Sequence, residues 1–421
     1  MVAALAALLA VAALAGDAGA VLLSPTRLAH AFRHLLAQLP RGLALPDLLR
    51  SKLGVLEGLR NLVVDAHLQK FQEPVGGDRA FPCPTAGGRS PERPPSVHRL
   101  RPGDIDVVGA IGDSLTAGTA VAARSPWEWF VDNRGMTAAI GGQSTWRRFL
   151  TLPNILKEFN PRLVGYSTRD SWSLAEDSAE QSQLNVAERG AESRDMLRQA
   201  RELVRRMSSD RRVDLAADWK LVTIFMGSND FCYEICNFKA SEVLKNHRAD
   251  LEMTLDYLRD NLPRSFVAVI PSPDLSSFVG VKGKALQCEL RNQIACPCLL
   301  GKNFLSRKKE FAQTMKQFRQ VQYQVVNSSR YEGKEDFAVV LQPFMEQLAL
   351  PERDGMTDFS YLAIDCFHLS QKAQARAANA YWNNLLQPVG TKSRTWDRLF
   401  KSFLCPTGQH PYIYTRRNSG S

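Results

Sequence analysis

From residue 105 onward the chain alternates short apolar runs with longer stretches whose apolar residues recur every three or four positions. The runs are 105–111 (Ile-Asp-Val-Val-Gly-Ala-Ile), 221–226, 265–270 and 336–342, with a shorter candidate strand near 183–187. Helical spacing covers about 191–208, 241–261, 303–328 and 370–386. Strands apolar along their whole length must be covered on both faces, and strands separated by helices pair in parallel. The pattern predicts an α/β fold over residues 104–417, long for one core but within reach of a single parallel sheet.

The preceding residues divide into three parts. Residues 1–20 form an apolar stretch closed by Ala18-Gly19-Ala20, as expected of a cleaved signal peptide, although no Lys or Arg precedes it. Residues 21–72 are rich in Leu and Ala, with helical spacing broken at Pro40 and Pro46. Leu49, Leu53, Leu56, Leu59 and Val63 make one stripe, suited to packing on the main domain, to a propeptide, or to docking on a membrane or partner. Residues 73–103 carry the Pro, Gly and Arg of a linker. Gly76-Gly77 and Gly87-Gly88 read as turns, and Gly280-Val281-Lys282-Gly283-Lys284 lacks the spacing of a phosphate-binding loop. No later run approaches the roughly 18 apolar residues of a spanning helix, so a soluble, secreted protein is expected.

Eight cysteines in an exported chain point to disulfides, and zinc at Cys288, Cys296 and Cys298 is disfavoured because no His accompanies them. Asn327-Ser328-Ser329 is a glycosylation sequon at Asn327. Lys and Arg number 53 against 43 Asp and Glu, a net charge of +10. The excess favours anionic surfaces such as phospholipid head groups. Nucleic acid is excluded as a partner, because the basic residues are scattered and follow no recognised binding motif. Arg307-Lys308-Lys309 reads as a solvated helix face.

The chemistry lies at element ends. Ser114, in Gly112-Asp113-Ser114-Leu115-Thr116-Ala117-Gly118, follows the first strand directly, at the edge where α/β folds place their sites. Asp365-Cys366-Phe367-His368 supplies a carboxylate and an imidazole three residues apart. A serine hydroxyl needs a base to take its proton, and the imidazole needs an acceptor on its other nitrogen. Asn229, in Gly227-Ser228-Asn229-Asp230 after the second strong strand, offers an amide to an oxyanion, although Asn-Asp pairs are also ordinary turn chemistry. The α/β-hydrolase elbow needs Gly two positions after the serine, and Thr116 stands there. Together these residues read as a serine esterase.

In order along the chain, Ser96-Val97-His98-Arg99-Leu100-Arg101-Pro102, GDSLTAG at 112–118, TLPNILKEFNP at 151–161, DWKLVTIFMGSND at 218–230, EDFAVVLQPF at 335–344 and DCFHLS at 365–370 resemble the SGNH (GDSL) hydrolase family, and within it the phospholipase B branch. The resemblance covers about residues 82–417. It implies a flavodoxin-like three-layer α/β/α sandwich with a mostly parallel five-stranded sheet, Ser114 as nucleophile, His368 as base, Asp365 as its orienter, and Asn229 as an oxyanion donor. It also implies a backbone donor from a glycine, met by Gly190 in Asn185-Val186-Ala187-Glu188-Arg189-Gly190-Ala191, with Gly141-Gly142 as the rival and the Ser114 amide completing the hole. Arg189 departs from the small or polar residue usual before that glycine, and would either crowd the pocket or reach a phosphate. Residues 134–182 form an insertion whose Trp146, Phe149, Leu150, Phe159, Tyr166 and Trp172 suit an acyl-chain groove or cap, or ordinary core.

The implied activity is hydrolysis of glycerophospholipid and lysophospholipid acyl esters, with peripheral contact to a membrane or micelle and with no cofactor or metal in the scheme. Two other readings remain: an esterase of soluble acetylated or short-chain esters, and a secreted lipid-binding protein without activity. For the disulfides, Cys83–Cys405 would tie the ends of the domain together and Cys232–Cys236 would clamp the loop after Asn229.

Overall fold

The first strong strand shows how the sheet is built. In β1 (Ile105–Gly112) Val107 and Ile111 point into one buried cluster, while Val108 and Ala110 point into the other. A register shift between Ile105 and Val107 brings Ile105 onto the same face as Val108. Two-residue strands β2 (Val131–Asp132) and β3 (Ser171–Trp172) form a separate antiparallel ribbon. Strands β4 (Trp219–Phe225), β5 (Ser265–Ile270) and β6 (Phe337–Leu341) complete the main sheet in the order β1-β4-β5-β6, every pair parallel. This structure, a computed structural model, describes residues 69–172 and 179–420. The expected signal segment and the Leu49–Val63 stripe lie outside the described residues.

Helices α1 (Leu152–Phe159), α2 (Met196–Ser209), α3 (Ala240–Asn261), α4 (Leu286–Ala295), α5 (Lys308–Val326) and α6 (Gln371–Leu385) follow closely where helical spacing placed them, with α1 and α4 added. Helices α1 and α6 bury Leu152, Ile155, Tyr381 and Trp382 on one face of the sheet. Helices α2 and α3 bury Leu203, Met207, Leu251 and Leu255 on the other. Helix α5 contributes Phe311 and Phe318 to the first cluster and Val321 and Val325 to the second. The architecture is the expected α/β/α sandwich.

The five-stranded expectation needs correction, because the fifth position is shared by two short segments. Val164 exchanges hydrogen bonds with the lower half of β1, from its amide to Asp106 O at 3.0 Å and from the Val108 amide to its own carbonyl at 3.0 Å. Gly165 then turns away with φ +98°, and a Cβ there would lie 2.1 Å from Val108 O. The chain returns at 184–188, where the Ala110 amide donates to Leu184 O and the Val186 amide donates to Ala110 O, each at 3.0 Å. The candidate strand at 183–187 is therefore a single bridge at Asn185, and it leads straight to Gly190.

Residues 73–103, expected as a linker, are fastened to the sheet domain. Asp104 accepts from the Ser90 amide and hydroxyl and from the Arg101 amide, Trp219 Nε1 donates to Pro94 O at 3.0 Å, and Val97 and Leu100 are fully buried. Proline and glycine correctly marked turns, but composition does not report whether turns are pinned.

The tip of β1 depends on a side chain from α2. Gln199, fully buried, accepts from the Gly112 amide at 2.9 Å and donates to the Gly112 carbonyl at 3.0 Å, standing in for a neighbouring strand. The carbonyl keeps a second donor in the Glu188 amide, whereas the Gly112 amide meets no second acceptor among the described residues. Gln199→Leu leaves that buried N–H unpaired, so urea denaturation should show a loss of about 1–3 kcal/mol. An unchanged midpoint would mean that Gly112 finds another acceptor.

Candidate active site

Ser114 opens a four-residue helical turn, Ser114–Ala117. Asp113 caps the turn by accepting from the Leu115 amide at 2.9 Å, and Gly118 closes it in the left-handed conformation, φ +87°. A Cβ on Gly118 would meet Asn133 O at 2.8 Å, so the sharp exit requires glycine. The turn is short enough to hold the hydroxyl at the strand tip.

The imidazole arrives on a loop closed by the Leu362↔Leu369 bridge and by the Ala363 amide donating to His368 O at 2.8 Å. Beyond it, the Ser370 side chain caps α6. Asp365 Oδ1 accepts from the Phe367 and His368 amides, each at 3.0 Å, while its Oδ2 lies 2.6 Å from His368 Nδ1. His368 Nε2 lies 2.8 Å from Ser114 Oγ. Burial works against charge on Asp365, but His368 and the two amides outweigh it and hold the carboxyl below its usual range. An ionised carboxylate only accepts, so Nδ1 carries the proton and Nε2 is free to receive the serine proton. The three residues form one hydrogen-bonded chain.

Asn229 follows β4 through Gly227, whose φ of +121° and close approach to Ser272 Oγ leave no room for a Cβ. Its Nδ2 donates to Ala191 O at 2.9 Å, leaving one amide hydrogen. Next to it, the Asp230 carboxylate accepts from the Ser193 amide at 3.1 Å, and Ser193 Oγ meets His247 Nδ1 at 2.7 Å. Burial pushes Asp230 up to about 7 and His247 down to about 3. These contacts staple residues 191–193 to the end of β4. The sequence reading took Asp230 only as turn chemistry beside Asn229 and missed Ser193 and His247, isolated polar residues with no motif around them.

The candidate glycines separate cleanly. The Gly141 and Gly142 amides donate to Thr137 O and Ser167 O, and a Cβ on either would strike Gly135 or Tyr166. Gly190 has φ +78° and open space where a Cβ would sit. Among the described residues, neither its amide nor that of Ser114 donates to a protein carbonyl. The Arg189 guanidinium lies 4.5 Å from the Trp129 ring centroid, with Nη1 donating to Trp129 O at 3.0 Å.

One alternative is decided and one expectation is revised here. Of the aromatic insertion, Trp146, Phe149, Leu150 and Phe159 are buried core, Tyr166 is partly buried, and Trp172 is exposed on β3. A cleft of about 1560 Å³ is bordered by Phe149, Met136, Phe71, Arg148 and Arg376, and no triad residue lines it. Cys83–Cys405 joins as expected, but Cys232 pairs with Cys296 and Cys236 with Cys298. The helical turn after Asn229 presents Cys232 and Cys236 to the segment following α4 instead of to each other. Cys288–Cys366 fastens α4 to the triad loop, so the three thiols weighed for zinc are all in disulfides.

Asp113, fully buried, is raised to about 6 by burial, against the Leu115 amide, His368 and Ser228. Its carboxyl therefore holds a proton more tightly folded than unfolded, and this contribution to stability is lost as pH rises from about 4 through 6. Asp113→Asn keeps the acceptor for Leu115 and removes the charge. Urea unfolding at pH 4 and pH 7 should show a pH-dependent loss smaller in the variant by on the order of 2 kcal/mol. Identical profiles would contradict the buried-charge account.

Residues 108–381 match the family model for GDSL-like lipases and acylhydrolases. Human "Phospholipase B1, membrane-associated" is 40% identical over 339 residues, covering 77% of this chain and 22% of that protein. The mouse protein of the same name is 36% identical over 351 residues, covering 80% and 22%. The chain thus spans about a fifth of the length of the curated relatives it matches. An extracellular lipase from Streptomyces rimosus, 14% identical, aligns over 66% of this chain and 98% of its own with a TM-score of 0.31. A serine at the tip of β1, hydrogen-bonded to a histidine from a late loop, within a matched stretch that runs from the middle of β1 into α6, places the chain in the GDSL-like lipase/acylhydrolase family of carboxylic ester hydrolases, in its phospholipase B branch.

Proposed function

We propose that the chain is a secreted enzyme that hydrolyses acyl esters of glycerophospholipids and lysophospholipids through Ser114, His368 and Asp365. The observation that carries this reading is the unbroken chain Asp365 Oδ2–His368–Ser114 Oγ, with contacts of 2.6 and 2.8 Å. His368 Nε2 takes the serine proton as Oγ attacks the acyl carbonyl, and Asp365 stabilises the resulting imidazolium. The free amide hydrogen of Asn229 and the amides of Gly190 and Ser114 receive the oxyanion. The imidazolium returns its proton to the departing glycerol oxygen, leaving an acyl-enzyme. Water, deprotonated by the same His368, then releases the fatty acid.

The phospholipid reading is supported by the 36–40% identity to phospholipase B1 sequences. It is supported also by an apolar face beside the triad loop. On α4, Leu290 and Ile294 are one turn apart and 56% and 73% exposed. Cys288 on the same helix is bonded to Cys366, and Arg291 Nη1 donates to Ile364 O at 3.2 Å. With the net charge of +10, this face suits contact with an anionic lipid surface. Secretion is supported by the pairing of all eight cysteines and by the exposed sequon at Asn327.

Wild type should release fatty acid from phosphatidylcholine in mixed micelles with EDTA present and should be labelled by a fluorophosphonate. Ser114→Ala should lose both, with turnover down about 10⁴-fold or more and the same thermal midpoint. Retained turnover in Ser114→Ala would move the nucleophile elsewhere. Cleavage of p-nitrophenyl acetate without phosphatidylcholine would favour the soluble-ester reading, and absence of labelling in wild type the inactive lipid binder.

A further inference from the structure

Arg189 stands one residue before the open Gly190 amide, and its aromatic support packs against the loop that carries the triad. Its guanidinium stacks over Trp129 at 4.5 Å and lies 5.5 Å from the Phe130 ring. Trp129 packs in a small cluster with Ala363 and Ile364, the two residues that lead into Asp365. The cation is thus seated on an aromatic shelf built against the triad loop, where the field of Asp132 and, less strongly, that of Asp365 reach it.

The charge is unusually placed. The side chain is more than half withdrawn from water, which lowers its pKa, and among the described residues no carboxylate pairs with it. Nη1 is used by Trp129 O, while Nε and Nη2 meet no protein acceptor among the described residues. Arg376 is similar, stacked on Tyr361 and Trp396 with no carboxylate partner among the described residues, but it lies away from the triad, and other arginines are matched. Arg134 pairs with Asp132 and donates to Ser171 and Ala187, and Arg206 pairs with Glu202. A half-buried guanidinium held by ring stacking, with donors to spare beside an oxyanion site, is built to receive an anion.

We infer that Arg189 is the specificity residue for the substrate's phosphodiester, engaging the head-group phosphate while the ester carbonyl sits at Gly190, Asn229 and Ser114. The inference rests on the phospholipid reading above and assigns that substrate a second anchor beside the oxyanion hole. Stacking on Trp129 fixes the guanidinium before substrate arrives, so little side-chain freedom is lost on binding. A neutral glyceride offers nothing to this group and forgoes its contribution.

The test compares wild type, Arg189→Met and Arg189→Lys on two monomeric substrates, dihexanoyl phosphatidylcholine and dihexanoylglycerol. Met keeps an unbranched stem on the Trp129 ring, and fluorophosphonate labelling checks that each variant retains an assembled site. The ratio of kcat/KM for phosphorylated over neutral substrate should fall roughly 10- to 100-fold in Arg189→Met, mainly through KM, and recover in part in Arg189→Lys. Glycerophosphocholine should inhibit hydrolysis of the neutral ester in wild type and less so in Arg189→Met. Inhibition by inorganic phosphate alone would make the group a receptor for free phosphate and overturn the head-group assignment. An unchanged ratio, whether both rates fall together or neither does, would reduce Arg189 to a structural role. Wild type inactive on the phosphatidylcholine would defeat the phospholipid reading itself, an outcome separate from an Arg189 variant that fails to discriminate.

Discussion

The parallel register of β1 and β4 is the constraint on which the site depends. Gly112 pairs with Phe225, so the two strands end level and release their chains at the same edge. Ser114 lies two residues beyond one end and Asn229 four beyond the other. A shift of one residue would turn the alternating side chains of a strand onto the opposite face and break both cores, so register is held by burial on two sides. Hydroxyl and amide are thereby placed together by packing far from either.

Level strand ends do not by themselves set the third and fourth participants, and these are held by short-range polar ties. The loop bearing His368 is closed on itself by backbone hydrogen bonds, and Asp365 serves it twice, accepting from two amides and from the imidazole. Gly190 is fixed from both sides. The segment before it runs along the upper edge of β1, ending with the Glu188 amide on Gly112 O. The segment after it is clasped by Asn229 and Asp230. The glycine spans the gap between two fastened pieces, with a left-handed φ that a side chain would resist. Several buried groups are held away from their usual charge states to make this possible. Asp113 and Asp230 are raised and His247 is lowered, all chiefly by burial, which is how a polar network survives beneath a reactive edge.

The strands were legible because a parallel sheet covered on both faces demands runs such as Phe266–Ile270, apolar at every position. Ser114, Asn229, Asp365 and His368 were legible because each stands just past an element end, where side chains rarely serve packing. The shared fifth edge was not, since each half contributes too few paired residues to leave a period. Trp146 and Phe159 suited a groove or ordinary core alike, because apolar character reports that a residue is buried and not what it is buried against. The fastening of 73–103 rests on contacts such as Pro94 to Trp219, invisible to local composition. Cysteine pairing failed for the same reason at Cys232 and Cys236, whose partners lie more than 60 residues away. What sequence withheld was long-range throughout.

Three disulfides converge on one short stretch. Cys288, Cys296 and Cys298 all lie in or just after α4, and their partners are Cys366, Cys232 and Cys236. One partner adjoins Asp365; the other two lie within and just after the turn that follows Asn229. The stretch therefore braces the His368 side and the Asn229 side of the sheet edge covalently, outside the sheet. Loops at a strand edge carry few buried apolar contacts and are the first parts of a domain to open locally. Cross-links there limit the conformations available to the opened or unfolded chain and leave the sheet's own packing untouched. The same stretch exposes Leu290 and Ile294, which a mobile helix would tend to bury or to aggregate. Bracing it allows an apolar face to stand beside a polar reaction centre, with His368 and Asn229 kept in place whether or not that face is covered by lipid.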